Sequence, residues 1–339
     1  MSITIKDIAR LSNVSVSTVS RVLNNNPSVS DEVRRRVSAV IKEHNFVPHE
    51  GRANLAKPKT NAIGLLMRGA GNAFFTGMVM SFERESAARG YSLAVKQIGE
   101  REDEMIYAPA FVKEKNLKGI ILLGGKFDFS KAETEKINAP FVCCTFTNSF
   151  GEIRKSRYSS ICADDIGIGF KAVNHLIDNG HRDIAALLRN TRDKSISELR
   201  YKGYEKALRE RNIPINDKLV LNCGDYSMKK AYETTLKLID SGEKFTAVFT
   251  GSDIMAIGVI KALSDRGIAV PGDCSVIGVD GIESSLYCIP TLTTMVQPAE
   301  KMAVGAVDIL DRLIKGECTY QHITADVRLR EGGSVKNIL

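Results

Sequence analysis

Between residues 5 and 41 apolar positions recur with helical spacing, whereas beyond residue 60 they gather into short unbroken runs separated by amphipathic stretches. The two textures predict two kinds of unit. In the first, Ile5, Ile8 and Leu11 share one face of a helix over residues 5–11, with Thr4 as N-cap and Asp7 at the favourable positive end. Ser12-Asn13 signals a turn, because asparagine tolerates the left-handed backbone that ends helices. A second helix follows Ser15 and runs to about Asn24; Val19, Val22 and Leu23 pack inward while Ser17, Ser20, Arg21 and Asn24 face out. A third begins at Ser30, with Asp31 and Glu32 in its first turn and Val33, Val37, Val40 and Ile41 as its stripe. Three short helices with a tight turn between the first two predict a helix-turn-helix head over residues 1–48. Phe46-Val47-Pro48 closes it, since proline forbids simple continuation, and His49 to Pro58 reads as a linker.

The second texture predicts buried strands over residues 62–67, 119–123, 141–146, 184–188, 247–250 and 275–279. Helices are predicted over 76–89, 167–179, 198–211, 229–241 and 253–266, several of them stopped by a glycine such as Gly90, Gly180 or Gly267. That alternation indicates parallel α/β sheets, and the 279 residues from 61 to 339 suit two lobes better than one.

Composition narrows the class. Of the 339 residues, 43% are apolar and 26% charged, which is ordinary for a globular chain. No stretch approaches the ~20 apolar residues of a membrane helix. The segment from Met1 to Asp7 lacks a basic leader followed by an apolar run, so no secretion signal is expected and the protein is expected in the cytoplasm. Seven cysteines, none in a Cys-x-x-Cys pair, read as small core residues in a reducing compartment. The net charge of +7 is uneven: residues 1–60 carry ten Lys/Arg against five Asp/Glu, 10 − 5 = +5, leaving +2 for the rest. A basic segment on a near-neutral body suggests a polyanion partner.

The second helix of a helix-turn-helix lies in the major groove with its N-terminal residues at base edges. Val16 and Ser17 occupy those positions, and Arg21, one turn on, suits bidentate contact with guanine O6 and N7. Ser15, Thr18 and Asn24 are placed to hold phosphates, with Thr4 and Ser20 completing the candidate DNA-contact set. A generic three-helix bundle with a basic surface is the competing reading.

Catalysis finds little support. Gly69-Ala70-Gly71-Asn72-Ala73-Phe74 begins like a dinucleotide loop, but Phe74 stands at the third glycine. There is no Gly-x-x-x-x-Gly-Lys-Ser/Thr loop and no Gly-x-Ser-x-Gly elbow, and the five histidines lack metal-ligand spacing. Asp164 and Asp165 alternate faces if they lie in a strand, which makes them poor acid–base partners. No catalytic residue, metal or cofactor is expected.

The block Thr4-Ile5-Lys6-Asp7-Ile8-Ala9 through Val14-Ser15-Val16-Ser17-Thr18-Val19-Ser20-Arg21-Val22-Leu23-Asn24 resembles the head of the lactose-repressor/galactose-repressor (LacI/GalR) family. The similarity continues through Asp164-Asp165, His175-Leu176, Arg200-Tyr201-Lys202-Gly203-Tyr204, Ser252-Asp253-Ile254-Met255-Ala256, Val270-Pro271-Gly272-Asp273 and Pro290-Thr291-Leu292-Thr293-Thr294, in order along nearly the whole chain. The resemblance implies a repressor whose residues 49–60 form a hinge helix and linker, with Leu55 as a minor-groove wedge. Here the hinge departs from the family pattern: Arg52-Ala53 stands where alanine then arginine is usual, and Gly51 sits inside the helix.

For the body the resemblance implies a periplasmic-binding-protein-like, effector-binding and dimerising domain. Its first lobe is expected at about residues 61–161 and 291–322, and its second at about 162–290 and 323–339. A small molecule, a sugar or sugar derivative, is expected between them. Arg200 and Asp280 offer a donor fork and an acceptor for sugar hydroxyls or a nucleobase edge. Asn72, Phe74 and Phe75 fall in a Gly-rich loop after the first strand, on the cleft side of a parallel sheet. Tyr226 matches a stacking ring, Ser252 stands where asparagine is commoner, and Gln297 lines the crossover. A structural role in which Asp280 or Arg200 simply pairs across the lobes competes with ligand contact. The resemblance further implies a homodimer reading the halves of a roughly palindromic operator, controlled allosterically. No leucine heptad follows Arg330–Val335, so a tetramer through such a tail is not expected. Three other readings stay open: a purine-type corepressor sensor, a regulator driven by a phosphorylated carrier protein, and a metabolic enzyme with a DNA-binding head.

Overall fold

The computed structural model describes residues 4–23, 26, 29–44, 61–69 and 71–339. Asn24, the segment from 45 to 60 and with it Leu55 and the expected hinge helix lie outside the described residues. The chain divides into two units, one ending at Pro58 and one beginning at Lys59.

The head holds α1 (Ile5–Leu11), α2 (Val16–Leu23) and α3 (Asp31–Glu43). A capping box starts α1: Thr4 Oγ1 accepts the Asp7 N–H at 3.4 Å, and the Asp7 carboxylate accepts the Thr4 N–H at 3.0 Å. The Thr4 hydrogen bonds hold the Asp7 carboxyl below its ordinary value. Asn13 takes the left-handed conformation at φ +51° in the turn. Ser15 Oγ accepts the Thr18 N–H at 3.2 Å, which caps the start of α2. Ile8, Val19 and Val37 are fully buried at the centre of this small core. Leu11, expected on the same inward face, is instead 48% exposed. At about 100° per residue the buried arc of α1 is centred near Ile5 and Ser12, and Leu11 falls at its edge. Thr4→Ala should cost the head about 1 kcal/mol, read as a roughly fivefold faster hydrogen exchange of the α1 amides.

In the body, a first sheet orders its strands β11-β5-β4-β3-β1-β2: β1 (Ala62–Arg68), β2 (Ser92–Ile98), β3 (Ile120–Leu123), β4 (Phe141–Cys144), β5 (Ser159–Ala163) and β11 (His322–Ala325). A second orders β12-β10-β9-β8-β6-β7: β6 (Ile184–Leu188), β7 (Val220–Asn222), β8 (Ala247–Thr250), β9 (Ser275–Asp280), β10 (Thr293–Val296) and β12 (Arg328–Arg330). Every pairing is parallel except β10 with β12. Helices α4 (Ala73–Ala88), α5 (Glu104–Lys115), α6 (Lys131–Thr134) and α12 (Ala299–Lys315) go with the first sheet. The second carries α7 (Asp165–Asp178), α8 (Ile196–Glu210), α9 (Met228–Asp240), α10 (Asp253–Asp265) and α11 (Ser284–Tyr287).

Burial follows parallel-sheet logic: β3, β4, β6, β8 and β9 are buried along their whole length because helices cover both faces. The strand pairing corrects the expected lobe limits. Thr293–Val296, placed with the first lobe by the sequence reading, pairs with β9 in the second sheet, and Ile323–Ala325 pairs with β5 in the first. The chain therefore crosses between lobes at 163–165, 296–299 and 325–328. Helices α7 and α8 pack closely where Gly169 and Gly203 face the opposing backbone; a Cβ on either would collide with it. That close approach brings Arg200 of α8 against Asp165 at the start of α7.

Candidate effector cleft and DNA-reading helix

In parallel α/β sheets, ligands bind beyond the carboxyl ends of the strands. Both lobes present such ends to one cleft of about 190 Å³. Arg68 ends β1, Gly124 follows β3, and Thr145 follows β4; from the other lobe come Arg189 after β6, Ser252 after β8 and Asp280 at the end of β9. That volume is below the roughly 300–1,000 Å³ of typical drug-sized sites, so the space suits one compact ligand.

The floor is a buried charged network. Arg200 Nε lies 3.1 Å from Asp165 Oδ1, its Nη2 lies 3.9 Å from Asp280 Oδ1, and its Nη1 donates to the Gly251 carbonyl. Burial opposes the Arg200 charge, but Asp165 and Asp280 outweigh it and raise its pKa. Burial pushes the Asp165 carboxyl up to about 6 against the pull of Arg200, and it raises Asp280 in the same way. Gln297 Nε2 donates to Asp280 Oδ1 at 2.8 Å, and its backbone N–H donates to the Asp280 carbonyl at 3.1 Å. Asp280 sits at φ +123°, a costly conformation for any residue with a side chain. Asp253 steadies it from behind, accepting the N–H groups of Gly281 and Ile282 at 2.8 and 2.9 Å.

All eight residues named from the sequence, Asn72, Phe74, Phe75, Arg200, Tyr226, Ser252, Asp280 and Gln297, line this cleft. Their engagement differs. Asn72 Oδ1 caps α4 by accepting the Phe74 N–H at 2.9 Å, and Ser252 Oγ caps α10 by accepting from Met255 at 3.4 Å. Each cap uses one of the oxygen's two lone pairs, which leaves the other lone pair and the side chain's N–H or O–H groups for a ligand. Phe74 is 6% exposed and packs into the first lobe's core, while Phe75 lies over Gly124 as a wall. Tyr226 Oη is buried without a well-formed hydrogen bond, a group poised for a ligand hydroxyl. The ion pairs of Arg200 with Asp165 and Asp280 all lie within the second lobe, so neither Arg200 nor Asp280 forms the cross-lobe ion pair of the competing reading among the described residues.

Several cleft residues were missed. Arg68, Lys126, Arg189, Asp193 and Lys194 all line it, and Asp165 completes its floor. Asp165 is not in a strand: Asp164 caps α7 through the Gly167 N–H at 3.0 Å, and Asp165 is the helix's first residue. A signal existed for Arg68 and Arg189, since each directly follows a predicted buried strand.

On the head, Ser15, Val16, Ser17 and Arg21 are exposed along one side of α2, and Thr18 and Ser20 are half-buried beside them. Ser15 Oγ lies 2.8 Å from both Ser17 Oγ and Thr18 Oγ1. Thr4, also expected to touch DNA, has its hydroxyl bonded to Asp7 Oδ2 at 2.6 Å.

A helix-turn-helix head joined to a two-sheet body with a ligand-sized cleft defines an effector-responsive transcriptional regulator. Residues 4–49 match the family described as bacterial regulatory proteins, lacI family, and residues 173–335 match a periplasmic binding protein-like domain. The chain belongs to the LacI family and is a DNA-binding transcriptional regulator with an effector-binding body. It is 39% identical over 340 residues to the HTH-type transcriptional regulator MalR of Clostridium butyricum, covering 98% of this chain and 99% of that one. Catabolite control protein A of Priestia megaterium is 31% identical, covering 94% of each chain. The HTH-type transcriptional repressor PurR of Photorhabdus laumondii is 33% identical over 98% of this chain and 96% of its own. Among solved structures, a transcriptional regulator CelR–cellobiose complex aligns with TM-score 0.73 at 25% identity, covering 98% of this chain and 99% of that one. A lac repressor dimer bound to operator aligns with TM-score 0.72 at 25% identity, covering 99% and 100%. Among the described residues no helix is long and apolar enough to cross a membrane.

Proposed function

We propose that this protein is a homodimeric repressor that reads a roughly palindromic operator with α2, and that a sugar or sugar derivative in the cleft sets its operator affinity. The observation that carries the effector half is the convergence of all eight effector-site candidates on one cleft at the strand ends. The cellobiose bound in the CelR complex agrees with a sugar. Dimerisation is supported by apolar side chains left uncovered on the body: Tyr287 is 77% exposed and Ile289 91%. On the head, Val16 and Ser17 approach base edges, Arg21 reads guanine, and Ser15, Thr18 and Ser20 fix register on phosphates. A ligand acts here through its differential affinity for the two arrangements of the lobes.

Selection from random duplexes with the purified full chain should enrich a two-fold symmetric sequence. Thermal-shift screening should then find stabilisation by sugars and none by nucleobases; stabilisation by a purine would replace the sugar with a flat heterocycle. Arg21→Ala should weaken the selected site by about 1–3 kcal/mol and relax preference at one position in each half. An unchanged base preference would remove Arg21 from the reading set.

A further inference from the structure

The charge pattern of the cleft bears on which kind of sugar the proposed effector site accepts, and it does so only if the cleft is that site. Five cations reach the cleft wall, and each already faces a carboxylate. Arg68 Nη1 lies 3.5 Å from the fully buried Glu104, while its Nε donates to the Glu100 carbonyl at 2.9 Å. Lys126 Nζ bonds Asp103 at 2.8 Å and also Glu133, and Arg189 is bonded to Asp193. Arg200 is held by Asp165 and Asp280. Lys194, at the rim, lies 3.5 Å from Asp128 of the other lobe. The first four cations are only 3–24% exposed at their side chains, so water does not dissolve these pairs. Carboxylates are in excess: Glu100 lines the cleft with no ion-pair partner among the described residues, and Asp280 shares Arg200 with Asp165.

We propose that this cleft selects an uncharged polyhydroxylated ligand and discriminates against its phosphorylated counterpart. A phosphate monoester brings about −1.5 to −2 charges and offers its oxygens chiefly as acceptors. To be received on the floor it must compete with the carboxylates already there, and drawing Arg68 from Glu104 or Arg200 from Asp165 and Asp280 would leave a buried carboxylate unpaired, a costly state; only the rim pair Lys194–Asp128 is exposed enough to open at little cost. A hydroxyl needs no such exchange, because it both donates and accepts. Ligand hydroxyls can donate to Asp280 and Glu100, accept from the remaining N–H groups of Arg68 and Arg200, and pair with Tyr226 Oη. The rings of Phe75 and Tyr226 supply apolar faces for the C–H side of such a molecule. Arg68, tethered from behind by Glu104, is thereby a ligand-contacting residue of the first lobe.

Isothermal titration of the full-length protein with three matched pairs tests this: glucose and glucose 6-phosphate, ribose and ribose 5-phosphate, maltose and maltose 6-phosphate. The expected result is a pair whose neutral member binds about tenfold or more tightly than its phosphorylated form, with no pair reversed. Asp193→Asn, which frees Arg189, should narrow the gap by strengthening the phosphorylated member. A phosphorylated member that binds more tightly, with binding lost in Asp280→Asn, leaves the cleft as effector site and overturns the neutral-ligand proposal. Binding that ignores Asp280→Asn, or none from any pair, removes the sugar-cleft reading and the proposal together.

Discussion

Arg200→Leu is expected to destabilise the body by about 3–5 kcal/mol at neutral pH and above, because it strands two buried carboxylates at once. Arg200 is fully buried, and its guanidinium is the cation shared by Asp165 and Asp280. The loss should also depend on pH. Burial already raises both carboxyls above the ordinary 3.8, and Arg200 is the group that pulls them down. Without it both rise further. A folded-state value above the unfolded one means that the folded protein holds more protons between the two, so stability falls as pH climbs through that window. The penalty should be smallest at about pH 4–5, where the stranded acids are neutral, and largest at about pH 8. Urea midpoints for both proteins at the two pH values measure it. A penalty independent of pH would mean that Arg200 contributes by packing and not by charge.

Asp280→Asn should move the effector response to roughly 10–100-fold higher ligand concentration while leaving ligand-free operator binding intact, provided that DNA binding needs no corepressor. Asparagine keeps the shape of the residue, and it tolerates positive φ better than most, so the strained turn at φ +123° survives. The Gln297 contact can persist through the amide oxygen. What disappears is the charged acceptor. Hydrogen bonds to a charged group contribute about 1.5–3 kcal/mol, so ligand affinity should fall roughly 10–100-fold. Titrating ligand against preformed protein–operator complex compares the two proteins; a response retained at unchanged ligand concentration would take Asp280 out of the site.

The head was legible because local rules settle it. Helical spacing, a threonine cap and an asparagine turn place α1 at residues 5–11 as expected, and α2 ends within a residue of its expected limit. Central strands were legible for a related reason: unbroken apolar runs at 184–188 and 247–250 coincide with β6 and β8. Elements at the margins were not. β2 alternates exposed and half-buried residues as an edge strand, and α5 carries Pro109, which argues against a helix on local grounds. β10, β11 and β12 are three or four residues long, and their sheet membership is fixed by partners far away in sequence, which is why the lobe limits shifted. In the cleft, positions matching a family were found, whereas Arg68 at the end of β1 and Arg189 and Asp193 in the loop after β6 converge only in the folded chain. Asp165 escaped notice because the helix was expected from residue 167, whereas α7 begins two residues earlier with Asp164 as its cap.

The central claim is that the cleft and the DNA-reading helix are coupled. It is tested most directly by measuring the affinity for the selected operator duplex with the cleft empty and with it saturated by the sugar that binds most tightly. A change of about fivefold or more, in either direction, is the predicted result. An operator affinity that stays the same while the cleft is full would contradict the account.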